Sequence, residues 1–144
     1  MGNICRSPVV EAVVRTRFAR AGFDIAVDSA GTEDYHIGAR PDSRSLASAR
    51  ARGYDASAHR ARQVMHGDFE QFDALLMMDR VNHNALRVRF SNEQMRRVHL
   101  FLSYADVAQP AEVPDPYYGH TTDFERVIDL AELGADGLIA KFAR

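Results

Sequence analysis

The apolar residues of the chain alternate between helical spacing and short continuous runs. From Ser7 to Gly22 they recur every three or four positions, which predicts one buried face of a helix. From 74 to 78 they form an unbroken run that ends at Asp79, the pattern of a strand buried on both faces. By the same criteria, helices are predicted at 7–22, 43–52, 68–72, 80–89 and 122 onward, and strands at 23–29, 74–78 and 98–102.

The order of these elements predicts the fold class. Asp79 is a predicted N-cap, and Thr122 with Glu125 forms a predicted capping box for the last helix. Residues 109–119 are rich in proline and predict a long loop. Because strands alternate with helices, we expect an α/β fold with a parallel sheet covered by helices on both faces. No repeat or linker interrupts the pattern, so residues 1–144 are expected to form one domain.

Composition narrows the possible functions. A formal net charge of −2 argues against a surface that binds nucleic acid or membrane. No apolar run approaches the roughly 18 residues of a transmembrane helix, and a cytoplasmic protein is expected. The single cysteine excludes an intrachain disulfide, and the histidines show no metal-ligand spacing, so no metal is expected.

The start of the chain has a pattern typical of a phosphate-binding loop. Gly2 and Asn3 supply backbone that can turn through positive φ. Ser7 followed by Pro8 is typical of a helix start, with the serine as N-cap. Amides at a helix N-terminus bind anions, and Arg6 adds a planar pair of donors for phosphate oxygens. The predicted phosphate-binding residues are Gly2, Asn3, Ile4, Cys5, Arg6 and Ser7.

A second pattern lies far along the chain, at 114–119. Asp115 stands between two prolines, and Tyr117, Tyr118 and Gly119 follow directly. A Pro-Asp-Pro sequence alone indicates only a turn, because proline fixes φ and aspartate favours turns. Two adjacent aromatic residues are unusual in a simple turn, so this loop is a candidate part of a binding site.

Together the two patterns resemble the low-molecular-weight protein tyrosine phosphatases, in which a C-x5-R-S loop and an Asp-Pro-Tyr loop form the active site. The resemblance implies that Arg6 binds the phosphoryl oxygens and that Ser7 hydrogen-bonds the nucleophilic thiolate. It implies that Asp115 protonates the leaving phenolate and then activates water, worth roughly a hundred- to ten-thousandfold in rate. The implied aromatic walls of the substrate slot are Tyr35, Tyr117 and Tyr118.

The same resemblance implies a fold and a substrate class. The fold is a three-layer sandwich with four parallel strands in the order 2-1-3-4. The reaction is hydrolysis of phosphotyrosine in a protein, or of an aryl phosphate, through a phosphocysteine, with inorganic phosphate as product and no cofactor. Ile4 lies where the tyrosine phosphatases of the family carry isoleucine, which favours an aryl phosphate. The stretch 57–63 also matches the family, and its histidine and arginine are expected to brace the loop and the sheet.

The resemblance places the nucleophilic cysteine immediately before Met1, together with the first strand. Cys5 is not expected to replace it, because Cys5 adjoins Arg6 and leaves no loop between thiol and guanidinium. We therefore expect an N-terminally truncated and inactive form, with the strand at 23–29 deprived of its neighbour. An internal methionine taken as the start is a simpler explanation of Met1 than degeneration of the gene.

Two other functions stay open. An arsenate reductase on the same fold would resolve an arsenic adduct with additional cysteines, whereas this chain has only Cys5. A catalytically dead module that binds phosphate or phosphopeptides would use the Arg6 loop. Such a module would have no use for Asp115, which argues against it.

Overall fold

Residues 4–143 are described by the structure, a computed structural model of the protein, and they contain helices around a short parallel sheet. The elements are α1 (Arg6–Arg20), α2 (Ser43–Ala51), α3 (His66–Gln71), β1 (Leu75–Met77), α4 (Arg80–Arg89), α5 (Asn92–Met95), β2 (Val98–Leu100), α6 (Phe101–Tyr104) and α7 (Thr121–Phe142). None of the described helices is both long enough and apolar enough to cross a membrane.

The sheet lies between two hydrophobic clusters. β1 and β2 are parallel, with Leu75 paired to Val98. Leu75 and Met77 belong to one cluster, whereas Leu76 packs against the other. Since successive side chains of a strand point to opposite faces, β1 is covered on both faces. This confirms the interpretation of the apolar run 74–78.

The larger cluster is formed mainly by α1 and α7. Val13 of α1 and Ile128 of α7 are fully buried at its centre. At its edge the Arg17 guanidinium donates to the carboxylates of Glu132, at 2.7 Å, and Asp136, at 2.9 Å. These contacts hold the first and last helices side by side.

The prediction of a strand at 23–29 is wrong for the described structure. Among the described residues, 24–28 and Ala30 make no backbone–backbone hydrogen bond, and the side chain of Ile25 is 40% exposed. Only Gly31, just after this segment, forms an isolated parallel bridge, to Gln63. A strand requires a neighbour to accept and donate its backbone hydrogen bonds. The described part of the chain provides none on the side of residues 24–28.

Two helix starts also differ from prediction. α1 begins at Arg6, so Ser7 lies inside the helix and Cys5 precedes it. Pro8 still falls in the first turn, where amide groups have no partner within the helix, so its missing N–H costs no helical bond. α7 begins at Thr121, and the backbone N–H of His120 donates to the Asp123 carboxylate at 2.7 Å. This pair takes the place of the predicted capping box, because the N-cap is His120, two residues before the predicted Thr122.

The other predicted elements are confirmed with small changes at their ends. Asp79 caps α4 as predicted, with its Oδ1 accepting from the Asn82 N–H at 2.9 Å. The strand predicted at 98–102 ends at Leu100, and the chain turns at once into α6. α5 is a single turn that the apolar pattern does not reveal, because none of its residues is buried.

Candidate active site

A cavity of about 240 Å³ opens beyond the carboxyl end of β1, where a parallel sheet is expected to bind its ligand. Its lining includes every predicted site residue that the structure describes: Ile4, Cys5, Arg6, Ser7, Tyr35, Asp115, Tyr117 and Tyr118. Gly2 and Asn3, the first predicted residues of the phosphate loop, lie outside the described residues. Segments far apart in the chain thus meet at one site.

Arg6 is held rigidly at the base of the cavity. Its side chain is almost fully buried, and its Nη1 donates to Asp79 Oδ2 at 2.6 Å and to the Val113 carbonyl at 2.7 Å. Burial opposes ionisation of Asp79, but hydrogen bonds from the Asn82 amide and the Arg6 guanidinium hold the pKa of Asp79 below its ordinary value. Asp79 therefore stays ionised at neutral pH and fixes the direction of the guanidinium.

Cys5 is buried beside Arg6, with 7% of its surface exposed. A thiol next to an arginine at a helix N-terminus ordinarily has a lowered pKa. Here burial, together with the charges of Asp42 and Asp115, raises the pKa of Cys5 to about 11. The thiol is therefore protonated at neutral pH, which argues against Cys5 as a nucleophile.

The loop 113–119, here called the acid loop, is anchored at its start to the sheet. The Val113 N–H donates to the carbonyl of Met78 at 2.8 Å, directly after β1. The Tyr117 N–H donates to Asp115 Oδ1 at 3.0 Å, so the backbone of the loop orients the carboxylate. The rings of Tyr117 and Tyr118 meet edge to face, with centroids 5.0 Å apart. The loop thereby presents a carboxylate and two aromatic rings to the cavity.

Tyr35 lies in the loop 32–41, which borders the cavity on another side. Its ring is 61% exposed and contacts His36 edge to face, with centroids 4.8 Å apart. The Gly38 N–H donates to the Ala61 carbonyl at 2.7 Å and ties this loop to the body of the protein. The three predicted aromatic walls thus stand around one opening.

Behind the cavity, a buried carboxylate joins α1 to the predicted bracing segment 57–63. Glu11 Oε1 accepts from the Ser29 hydroxyl at 2.6 Å and lies 3.6 Å from His59 Nδ1. Although burial opposes it, the hydrogen bonds from His59 and Ser29 hold the pKa of Glu11 below its ordinary value. Arg62 of the same segment pairs with Asp68 at 3.0 Å. These contacts stiffen the framework under α1.

Sequence reasoning missed some lining residues. Thr32 is buried, and its hydroxyl oxygen has no hydrogen-bond partner among the described residues. Asn82 lies one turn beyond Asp79, and Met78 follows β1 directly. The rule that ligands bind at the carboxyl ends of parallel strands would have indicated Met78 and Asn82. No pattern in the sequence indicates Thr32.

Comparison with known proteins agrees with this geometry. The family model for low molecular weight phosphotyrosine protein phosphatase matches residues 1–144. The low molecular weight protein-tyrosine-phosphatase YfkJ of Bacillus subtilis is 36% identical over 146 residues, covering 100% of this chain and 92% of that protein. The human low molecular weight phosphotyrosine protein phosphatase is 40% identical over 132 residues, covering 88% and 82%. A crystal structure of protein tyrosine phosphatase from Entamoeba histolytica superposes with a TM-score of 0.92 at 36% identity, covering 99% and 92%. This chain therefore belongs to the low molecular weight phosphotyrosine protein phosphatase family.

Proposed function

We propose that the cavity binds the phosphate of phosphotyrosine in a protein substrate, and that this chain carries the phosphate-binding and acid–base groups of a protein tyrosine phosphatase. The observation that carries the proposal is the meeting of Arg6, Asp115 and the aromatic residues at one cavity. Arg6 and Asp115 are far apart in the chain, and hydrolysis of a phosphate ester by this family's reaction would use both.

The contacts of Arg6 support a role for this residue in binding the phosphoryl group. Both of its described contacts use Nη1, and a guanidinium has five N–H donors arranged as a planar fork. The remaining donors are suited to two oxygens of a phosphoryl group placed at the start of α1, where backbone amides also favour an anion. Charge that develops on those oxygens in the transition state would meet a preoriented cation.

Asp115 supports a role in proton transfer. In the reaction of this family a cysteine thiolate attacks phosphorus, the P–O bond to the phenol breaks, and a phosphocysteine forms. Asp115, held by the Tyr117 amide, would give its proton to the departing phenolate. It would then accept a proton from the water that attacks the phosphocysteine, so that inorganic phosphate leaves and the thiolate is restored.

The aromatic walls support selection for an aryl phosphate. Tyr35 and Tyr117 lie on different loops beside the same opening. Two such rings can hold a phenyl ring between them by stacking. The depth that they add would place the phosphate of phosphotyrosine, but not that of the shorter phosphoserine, against Arg6.

We further propose that the 144-residue chain by itself does not hydrolyse phosphate esters. Its only cysteine, Cys5, is protonated at neutral pH and adjoins Arg6, whereas the family reaction requires a thiolate at the opposite end of the loop. A role as a phosphate-binding module is the second candidate, favoured by the buried Arg6–Asp79 pair that keeps the anion site oriented. The additional cysteines of an arsenate reductase are absent from this sequence.

The test is an assay of aryl phosphate hydrolysis by two proteins. One is the 144-residue chain, and the other is the same chain preceded by an apolar strand that ends in cysteine. We expect no turnover above buffer from the first and turnover from the second, lost when the added cysteine is changed to serine. Turnover by the 144-residue chain that disappears in Cys5→Ser would overturn the proposal about Cys5. Failure of the extended protein to act on aryl phosphates would overturn the proposed function.

A further inference from the structure

We propose that Arg44 is a positioning residue that latches the acid loop to the phosphate loop and thereby sets the aryl-binding wall at Tyr117. This inference rests on the proposed function, because it assigns to Arg44 a part in binding the aryl group of the substrate. It comes from a continuous set of contacts that leads from Ile4 through Asp42 and Arg44, which no sequence pattern indicated, to the acid loop.

The first part of the latch joins Asp42 to the phosphate loop. The Asp42 N–H donates to the carbonyl of Ile4 at 2.7 Å, two residues before Arg6. Asp42 also caps α2, since its Oδ1 accepts from the Arg44 N–H at 2.9 Å. The start of α2 is therefore fixed relative to the phosphate-binding side of the cavity.

The second part fixes the guanidinium of Arg44. Its Nε donates to Asp42 Oδ1 at 3.1 Å and its Nη2 donates to Asp42 Oδ2 at 3.0 Å. Two parallel bonds of this kind hold the plane of the guanidinium, which one ammonium group of lysine cannot reproduce. Arg44 is thus oriented even though its side chain is 46% exposed.

The third part is the contact of that plane with two aromatic rings. The Arg44 Cζ lies 4.7 Å from the ring centroid of buried Phe124 and 5.4 Å from that of Tyr117. Phe124 belongs to α7 and anchors the guanidinium to the core, whereas Tyr117 belongs to the acid loop. Because the Tyr117 N–H also binds the Asp115 carboxylate, Arg44 helps to hold both the wall and the acid.

An exposed ion pair adds little to stability, so this arrangement has little value as a structural clamp. Its consequence is local: without the guanidinium, the Tyr117 ring loses its neighbour on the α2 side and can turn away from the cavity. The loss should therefore affect ligands that carry an aryl group and leave inorganic phosphate unaffected, apart from the loss of one positive charge.

The test compares inorganic phosphate with benzylphosphonate on the 144-residue chain, by NMR titration in the millimolar range. Arg44→Gln and Arg44→Lys are the variants, and Arg50→Gln, an exposed arginine on the same helix, is the matched control. We expect both Arg44 variants to lower the affinity for benzylphosphonate by about two- to fivefold, which corresponds to the energy of an exposed cation–π contact. The affinity for phosphate should stay unchanged in Arg44→Lys, and Arg50→Gln should leave the affinity for both ligands unchanged. In a Tyr117→Ala background, Arg44→Gln should have no further effect on benzylphosphonate.

Equal weakening of both ligands by Arg44→Gln, with full recovery in Arg44→Lys, would mean that Arg44 acts only through its charge and would overturn the latch. An undiminished effect in the Tyr117→Ala background would also overturn it. If the wild-type chain binds neither ligand, or binds phosphate equally well after Arg6→Gln, the proposed function fails. In that case amide hydrogen exchange tests the proposal about Arg44. Arg44→Gln should speed exchange at Tyr117 and Gly119 and not at residues of α7.

Discussion

The segments 75–77 and 23–29 are both short and rich in apolar residues, yet only the first is part of a sheet. Leu75 and Met77 are buried, and the Leu75 N–H donates to the Arg97 carbonyl at 2.9 Å. Residues 24–28 have no backbone hydrogen bond to another described backbone group. Apolar content therefore makes a segment able to form a strand, and a neighbour with free backbone groups decides whether it does.

The difference extends to the active site. The paired strand β1 leads directly into Met78, which anchors the acid loop, and into Asp79, which orients Arg6. The segment 24–30 leads into Gly31 and Thr32, which line the same cavity, and its position depends on side-chain contacts such as that of Ser29 with Glu11 and on the bridge at Gly31. The side of the cavity next to β1 is thus held more firmly than the side formed by Gly31 and Thr32.

The largest effect is expected at Asp115, on the side that β1 supports. The test uses the chain extended by an apolar strand ending in cysteine. There Asp115→Ala should lower the rate of hydrolysis of aryl phosphates with poor leaving groups by roughly a hundred- to ten-thousandfold. The physical reason is that a poor leaving group depends most on protonation. Steady-state rates over a series of aryl phosphates measure it, with Asp73→Ala, an exposed aspartate outside the cavity lining, as control. An equal loss for good and poor leaving groups would exclude Asp115 as the general acid.

The second effect compares truncation of a side chain in the core beside β1 with truncation of one in the segment 23–29. Leu86 is fully buried in the cluster beside β1, and Leu86→Ala should lower the free energy of unfolding by about 2–5 kcal/mol. Ile25 is 40% exposed, and Ile25→Ala should cost only a small part of that in the 144-residue chain. Urea unfolding of both variants measures the difference.

The extended chain sharpens this comparison. If the added strand pairs with residues 24–30, Ile25 becomes part of a sheet, and Ile25→Ala should then cost more than it does in the 144-residue chain. Amide exchange at 24–30 should slow at the same time. An unchanged cost and unchanged exchange would show that the segment does not use the added strand as a neighbour.

Prediction from sequence succeeded where the pattern is local. The run 74–78 and the cap at Asp79 depend on residues close in the chain, and the structure has both of them. The strand at 23–29 depends on a partner distant in the chain, and an apolar pattern carries no information about a partner. The same reason explains why Arg44 was missed, since its role arises from contact with Tyr117 and Phe124.

The candidate site was predicted mainly by resemblance. The chemistry of Arg6 and of the acid loop follows from two motifs, and the structure brings their described residues to one cavity. The burial of Cys5 could not be predicted from its neighbours, which by themselves suggest a reactive thiol. Only the folded chain shows that desolvation, together with the nearby charges of Asp42 and Asp115, raises the pKa of the thiol.

The third effect concerns that burial. Because the pKa of Cys5 is raised from 9.0 to about 11, its thiolate fraction at pH 8 should be about a hundredfold lower than that of an ordinary cysteine. Alkylation by iodoacetamide should therefore be slow at pH 8, accelerate as the pH rises toward 11, and reach the ordinary rate in urea. Mass spectrometry of the alkylated protein measures the rate. Rapid alkylation of the folded chain at pH 7 would show a lowered pKa and would reopen a catalytic role for Cys5.

The smallest effect tests whether α7 is held in place by close packing, as β1 is by the two clusters around it. Gly137 of α7 lies against the Ala105 carbonyl, where an added Cβ would be too close to the backbone oxygen. Gly137→Ala should therefore lower the free energy of unfolding by about 1–3 kcal/mol.

Gly67, in α3, has no atom within 4 Å of an added Cβ and no positive φ. There the removal of glycine's backbone freedom should dominate, so Gly67→Ala should raise the free energy of unfolding by about 0.5–1 kcal/mol. Opposite signs in thermal or urea unfolding would show that contact at α7, and not helix propensity, sets the cost. A stabilising Gly137→Ala would mean that α7 and α6 are less closely packed in solution.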